Sequence, residues 1–325
     1  MIKFNLILFL SVPLSIISLA QTQSPVAATG AEIDFISDTQ QPMMVEKIIL
    51  KPNNNKKATA LLFSEIIKTK PQSLYMLGDV VALGYNNHKW KNVDAFLDSC
   101  RKENTAVYGL LGNHDVMGFR KKGETNFNKR FPQNVRTGYV SVTDSVAIVL
   151  LNSNFNTLSA ADKNKEDAWY QSTLNALDSS DAIKAIIVTC HHAPYSNSKI
   201  VGSSNQVQQN FVLPYINSKK ARLFITGHAH AFEHFKIMGK DFLVIGGGGG
   251  LHQPLDTTDK RIPDIAQEYK PLFHYLSVLR VSGELLVASH FIKNDFTNFG
   301  TGYSFITNPP AQIGTEDDDL SLIHI

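Results

Sequence analysis

The chain has 325 residues, 43% hydrophobic and 18% charged, with 31 Lys and Arg against 29 Asp and Glu, a formal net charge of +2. That balance suits a globular protein with a sizeable core and excludes a disordered one. It provides no strongly basic field, so an obligate nucleic-acid partner is not expected.

Residues 1–20 join Lys3, an apolar stretch over 6–19 broken by Pro13, and Ser18-Leu19-Ala20, which offers small residues at the −3 and −1 positions of a cleavage site. This pattern predicts a secretory signal peptide, and the stretch is short for a membrane span. The expectation is a periplasmic or secreted protein with no membrane anchor after signal removal. Residues 21–30 read as a linker, 31–310 as one domain, and 311–325 as a tail without a structural role. That tail carries an acidic run over 316–319. Cys100 and Cys190 read as separate buried thiols, although an exported protein could also pair them.

Hydrophobic periodicity predicts a buried strand over 33–37 and a helix over 56–68 with Leu61, Leu62 and Ile66 inward. A strand over 73–77, a helix over 93–100 and a strand over 105–111 follow. Strand–helix–strand order implies parallel pairing with crossovers. Residues 120–134 read as a polar, basic stretch anchored by Phe127 and Phe131, with Arg120, Lys121 and Lys122 at a solvated loop tip or, alternatively, placed to meet a phosphate. An antiparallel pair is expected over 139–142 and 146–151, then an amphipathic helix over 167–177, a strand over 185–188, a short helix near 206–216 and a strand over 222–225. Strands over 242–245, 275–281 and 285–292 are expected to close the domain in antiparallel fashion. Gly246 to Gly250 are consecutive glycines. They would be costly inside a strand, and read instead as a turn passing close to a pocket. Trp90 and Trp169 read as core.

Five short blocks carry the chemistry: Asp38-Thr39-Gln40, Gly78-Asp79, Gly112-Asn113-His114-Asp115, His191-His192-Ala193-Pro194 and Gly227-His228-Ala229-His230. Each follows a β-prone run and supplies carboxylate, amide or imidazole. Ligands of open α/β sheets gather at the carboxyl ends of strands, so the five can converge. Mixed oxygen and nitrogen donors of this kind build two-metal sites that hydrolyse phosphate esters. His88, His252, His274, His290 and His324 read as surface or core, with His252 also placed to line the pocket, and His234, four residues past His230, reads as packing or as a support behind the ligands.

In that order the blocks resemble the calcineurin-like metallophosphoesterase family, and its purple acid phosphatase-like branch, over roughly residues 31 to 292. The resemblance implies an α/β (α+β) sandwich of four layers, αββα, with two packed mixed β-sheets. It implies two divalent metal ions, drawn from Mn, Fe, Zn or Co. One would take Asp38, Gln40 and His230, the other Asn113, His191 and His228, with Asp79 bridging. His114 would give a proton to the leaving oxygen, and Asp115 would orient that imidazole. The implied activity is hydrolysis of a small phosphorylated substrate, a phosphate monoester, by a metal-bridging hydroxide. Alternatives are a nucleotide phosphodiesterase or pyrophosphatase, and a non-catalytic phosphate-binding relative. Two departures stand out. The usual first block is Asp-x-His, and here Gln40 supplies a neutral, weaker donor, as in the ADP-ribose/CDP-alcohol diphosphatases. Ala82 occupies the position of the metal-binding Tyr of purple acid phosphatases, which removes the basis for their colour. Matching His-x-x-Pro-Tyr-Ser selects His191 as the ligand, and matching His-x-Pro selects His192.

Overall fold

The computed structural model describes residues 30–307. The expected signal peptide, nearly all of the linker and the acidic tail lie outside the described residues.

In chain order the elements are β1 (Ile33–Ile36), α1 (Glu46–Ile49), α2 (Asn55–Thr69), β2 (Ser73–Met76), α3 (Asn87–Lys102), β3 (Ala106–Gly109), α4 (Asn113–Val116), α5 (Arg120–Arg130), β4 (Tyr139–Thr143), β5 (Val146–Leu150) and α6 (Ala160–Ser179). They continue with β6 (Ala185–Thr189), α7 (Asn205–Val207), α8 (Leu213–Asn217), β7 (Ala221–Thr226), β8 (Phe232–Ile237), β9 (Lys240–Ile245), β10 (His274–Val281), β11 (Glu284–Ile292) and β12 (Phe299–Ile306). One sheet runs β12-β11-β10-β1-β2-β3 and the other β4-β5-β6-β7-β9-β8. In the first, β1, β2 and β3 are parallel and β10 to β12 antiparallel; in the second, β5, β6, β7 and β9 are parallel, with β4 and β8 as antiparallel edges.

Side chains alternate across a strand, and that alternation builds the layers. Ile33 and Phe35, Tyr75 and Leu77, Val146 and Ile148, Ala185 and Ile187, and Leu223 and Ile225 meet between the sheets. Their neighbours Ile36, Leu74 and Met76 face α2, α3 and α5, where Leu62, Ile66, Trp90, Phe96 and Phe127 pack. Ala147, Val149, Ile186, Val188 and Phe224 face the opposite way, toward Tyr170, Leu174, Phe211 and Tyr215. The result is the four-layer αββα sandwich with mixed sheets. Hydroxyls also cross the gap: Tyr75 Oη lies 2.9 Å from Ser141 Oγ, and Ser73 Oγ lies 3.0 Å from Thr143 Oγ1.

Several elements differ from expectation. Helix α3 starts six residues before the predicted 93, because the Asn86 side chain caps it by accepting from the His88 backbone N–H at 3.0 Å. The polar stretch after residue 120 is a helix, α5, whose low hydrophobicity hid it; Phe127 and Phe131 do anchor it, both fully buried. Strand β9 pairs in parallel with β7 as well as antiparallel with β8. Cys100 and Cys190 are buried and unpaired. No helix among the described residues is long and apolar enough to cross a membrane.

Candidate metal centre

The five blocks all follow the carboxyl ends of neighbouring strands. Asp38 follows β1, Asp79 follows β2, Asn113 follows β3, His191 follows β6, and His228 and His230 follow β7. Three of these turns hold a non-glycine residue in the left-handed region: Asp38 at φ 59°, Asp79 at 49° and His228 at 67°. Each costs on the order of 1 kcal/mol, and such strain gathers at functional sites. Gly78, at φ +86°, lets the backbone pass beneath; a Cβ there would stand 2.7 Å from His191 Nδ1 and 2.6 Å from the Gly112 nitrogen.

The imidazoles are set by carbonyls outside the cluster. His191 Nδ1 lies 2.8 Å from the Leu77 carbonyl oxygen, and His230 Nδ1 lies 2.7 Å from that of Leu251. With Nδ1 donating, the neutral ring keeps its lone pair on Nε2. Those Nε2 atoms meet acids: His191 Nε2 is 3.3 Å from Asp79 Oδ2, and His230 Nε2 is 3.4 Å from Asp38 Oδ1. Asn113 Oδ1 is 3.1 Å from His191 Nε2. The other carboxylate oxygens are held by backbone, with the His228 N–H donating to Asp38 Oδ2 at 2.9 Å and the His114 N–H to Asp79 Oδ1 at 2.8 Å.

These residues fit cations. Donor atoms of Asp79, His191 and His228 lie within 4.8 Å of one another. Asp38 Oδ1 and both amide atoms of Gln40 are buried without a hydrogen-bond partner. A buried polar atom left unpaired is expensive, and a cation is the partner that oxygen donors with imidazole lone pairs between them would accept.

Electrostatics agree. Burial opposes ionisation of Asp79, but the imidazoles of His191, His114 and His228 outweigh it and hold the carboxyl well below its usual range. Burial also opposes the charge on His191, yet the Asp79 carboxylate pushes that ring up to about 9. His230 is raised in the same way, against burial, by Asp38. His228 lacks a dominant acid, and burial followed by His191 lowers it to about 4.

The structure brings Asp38, Gln40, Asp79, Asn113, His191, His228 and His230 to one place, with His114 beside them. Of the two adjacent histidines, His191 faces Asp79. His192 instead lies 2.8 Å from Ser153 Oγ through Nδ1 and packs on His228 with ring centroids 4.4 Å apart. The expected role of Asp115 is not what its contacts show. Its carboxylate accepts backbone N–H groups of Gly112 at 2.9 Å, Val81 at 3.3 Å and Val80 at 3.4 Å. The nearest partner of His114 Nδ1 is the Ala82 carbonyl oxygen at 3.2 Å. Asp115 sits in the first turn of a short helix, aimed back at its own loop, so it ties two ligand loops together and does not orient the imidazole.

Four residues beside the site went unpredicted. Glu46 Oε1 lies 3.9 Å from His114 Nε2; nothing in its sequence surroundings marks it. Asn152, Ser153 and Asn154 follow β5 just as the five blocks follow their strands, a signal that the strand-end rule offered. Asn154 Nδ2 donates to the Leu111 carbonyl at 2.8 Å, joining the β5 and β3 loops. Arg120 donates to the Thr157 carbonyl, away from the site. The glycine run lies against the centre: the Gly250 N–H donates to the Asp38 carbonyl at 2.9 Å, and a Cβ at Gly250 would stand 2.4 Å from the His230 ring.

Solved structures share this fold. The purple acid phosphatase PPD1 of yellow lupin (Lupinus luteus) superposes with a TM-score of 0.61 at 13% identity, covering 87% of this chain and 54% of that one. The chain thus spans about half the length of the lupin protein. GAP50 of Plasmodium, described as the anchor in the inner membrane complex, gives 0.61 at 13% identity over 86% of this chain and 89% of that one. A dimetal phosphatase from Danio rerio gives 0.51 at 12% identity over 86% and 99%. At these identities the likeness is one of fold. No curated protein sequence matches the chain. Residues 31–232, more than half of the chain, match the family described as calcineurin-like phosphoesterase. With that match, the two-sheet fold and the clustered donors in hand, the chain belongs to the calcineurin-like phosphoesterase family, hydrolases of phosphoric esters.

Proposed function

We propose that the protein is a dinuclear-metal phosphoesterase that releases phosphate from small phosphomonoesters. Asp38, Gln40 and His230 would hold one divalent cation and Asn113, His191 and His228 the other, with the Asp79 carboxylate serving both. The observation that carries this reading is the closure of the Asp79, His191 and His228 donors within 4.8 Å, beside the Asp38–His230 pair and the partnerless Gln40 amide. Divalent cations bound there supply Lewis acidity and a water acidic enough to ionise near neutral pH.

The chain's own groups do the rest. Leu77 and Leu251 carbonyls keep the Nε2 lone pairs aimed inward. His114 is tethered through its backbone N–H to Asp79 Oδ1 and its Nδ1 faces the Ala82 carbonyl, which leaves the Nε2 edge, 3.9 Å from both Asp79 Oδ2 and Glu46 Oε1, without a hydrogen bond. That edge is the atom that hands a proton to the leaving oxygen or donates to a phosphoryl oxygen. In-line attack by water needs no serine or cysteine nucleophile. Residues 1–20 support export to a periplasmic or extracellular compartment.

Turnover of a phosphomonoester, a phosphodiester and a nucleoside diphosphate derivative by metal-reconstituted protein tests the reading. The monoester is expected to be hydrolysed fastest, with two ions per chain by elemental analysis. Preference for the diester or the diphosphate would replace the substrate class. A single ion with no turnover of any of the three would make the chain a phosphate-binding relative.

A further inference from the structure

Between Gln40 and α2 the chain makes an outlying excursion that the site chemistry does not require. It carries α1, in which no residue is buried. Met44 is 86% exposed, Val45 60%, Ile48 80% and Ile49 75%. Single exposed apolar residues are ordinary, but four large ones within six positions mark a surface meant to be covered. At such exposure the side chains project clear of their neighbours, so the feature is a protrusion and not a groove.

The charge around it is one-sided. Lys47, Lys51, Lys56 and Lys57 are exposed, and none forms an ion pair among the described residues. Lys47, Lys56 and Lys57 line one cleft of about 560 Å³, with Pro42 and Pro52 beside them. Glu46 is the lone carboxylate between residues 41 and 57. It is turned inward, with Oε2 accepting the Met43 N–H and Oε1 near His114. The segment therefore shows apolar tips together with lysines that have no carboxylate partner among the described residues.

We propose that residues 43–57 dock the protein peripherally on an anionic lipid surface. Met44, Val45, Ile48 and Ile49 enter the boundary between headgroups and acyl chains, and the lysine cleft takes headgroup phosphates. Apolar insertion together with positive charge is the combination that gives reversible binding to anionic membranes. A neutral protein groove would leave the lysines without counter-charges. This attachment needs no spanning segment.

The test is sedimentation of the mature chain with vesicles of phosphatidylcholine alone and of phosphatidylcholine mixed with phosphatidylglycerol. Binding is expected to the mixed vesicles and to weaken as salt rises. Lys47→Gln and Lys51→Gln should each lower it by about fivefold. An Ile48→Ser/Ile49→Ser double variant should lose it while keeping the wild-type melting temperature, since both side chains are already in water. No binding to the mixed vesicles overturns the proposal, as do variants that bind like wild type. A dimer in solution that the double variant abolishes also overturns it, by showing that a second copy covers the patch.

Discussion

Nε2 of His191 lies 3.3 Å from Oδ2 of Asp79, while Nδ1 of the same ring lies 2.8 Å from the carbonyl of Leu77, two residues earlier on the Asp79 loop. One imidazole is thus gripped from both sides by a single turn of chain. In the metal-free protein that grip keeps a proton on the ring, since the Asp79 carboxylate outweighs burial and lifts it to about 9. A cation needs the same lone pair, so loading must expel the proton. Affinity for a divalent cation is expected to rise about tenfold per pH unit from about 7 to 9 and then level off. Titration of Mn²⁺ or Zn²⁺ binding against pH checks this, and a flat profile would remove His191 from the ligand set. The stability sign is the reverse. The folded ring lies above the ordinary value of 6.5. Its stabilisation of the metal-free fold is therefore complete below that value and lost as pH climbs through about 9.

Asp79→Asn and His114→Ala should separate binding from proton transfer. Asp79 reaches His191 and holds the His114 backbone, so Asp79→Asn should lose both bound metal and turnover. His114 contributes no proposed ligand atom; His114→Ala should retain metal and lose about 10²- to 10⁴-fold in turnover, the range for a general acid. Metal analysis beside kcat for each variant decides. Equal metal content with surviving activity in Asp79→Asn would sink the assignment.

The Asp115 carboxylate satisfies N–H groups of Gly112, Val80 and Val81. Asp115→Ala should destabilise by about 1–3 kcal/mol through those orphaned donors, measurable as a lower urea midpoint. Burial, and then the Asp79 charge, raise this acid to about 7. Its folded value lies above the unfolded one, so the native state holds the extra proton and stability falls as pH rises from about 4 to about 7. Asp115→Asn keeps an acceptor without the charge and should flatten that slope.

Gly250→Ala places a methyl 2.4 Å from the His230 ring. The ring must turn away from Asp38, so one of the two expected ions should be lost or weakly held. Gly283→Ala, where the nearest atom is 3.9 Å away, is the control and should load normally. Elemental analysis after dialysis reads both. Full loading of Gly250→Ala would show that His230 is not needed.

Glu166 is 1% exposed, with Oε1 accepting the Asn152 N–H at 2.6 Å and Oε2 without a partner. Burial pushes it up to about 8. Stability should drop as pH rises from about 4.5 toward 8, since the unfolded acid gives up its proton first. Glu166→Gln should be the more stable protein at pH above 8, and urea unfolding at two pH values tests it.

Much of this architecture was legible from residue order. Side chains alternate along each strand that precedes a block, so Phe35 and Ile36, Tyr75 and Met76, and Ile187 and Val188 had to face opposite sides of their sheets. Helix α2 showed its inward Leu62 and Ile66. Strand β8 was not legible, because Glu233 and His234 interrupt its apolar pattern. They are buried there on partners from elsewhere: Ser196 Oγ donates to Glu233 at 2.6 Å, and His234 Nε2 lies 3.0 Å from Asp241 Oδ1. Strand β12 hid behind Gly300, Gly302 and its exposed edge position.

Which donors this protein has, and that each stands at the end of a strand, follow from short-range chemistry: side-chain type, alternation and the turn after it. Which of them meet does not. His191 and His192 are equivalent in any local window, and Asp115 sits where an orienting acid is expected. The choice fell to contacts spanning long stretches of chain, the Leu77 carbonyl for His191 and the Val80–Val81 amides for Asp115. Those contacts exist only once β1, β2 and β3 lie side by side in one sheet and β6 and β7 in the other. A hydrogen bond between distant residues depends on strand order and register, which no local pattern encodes.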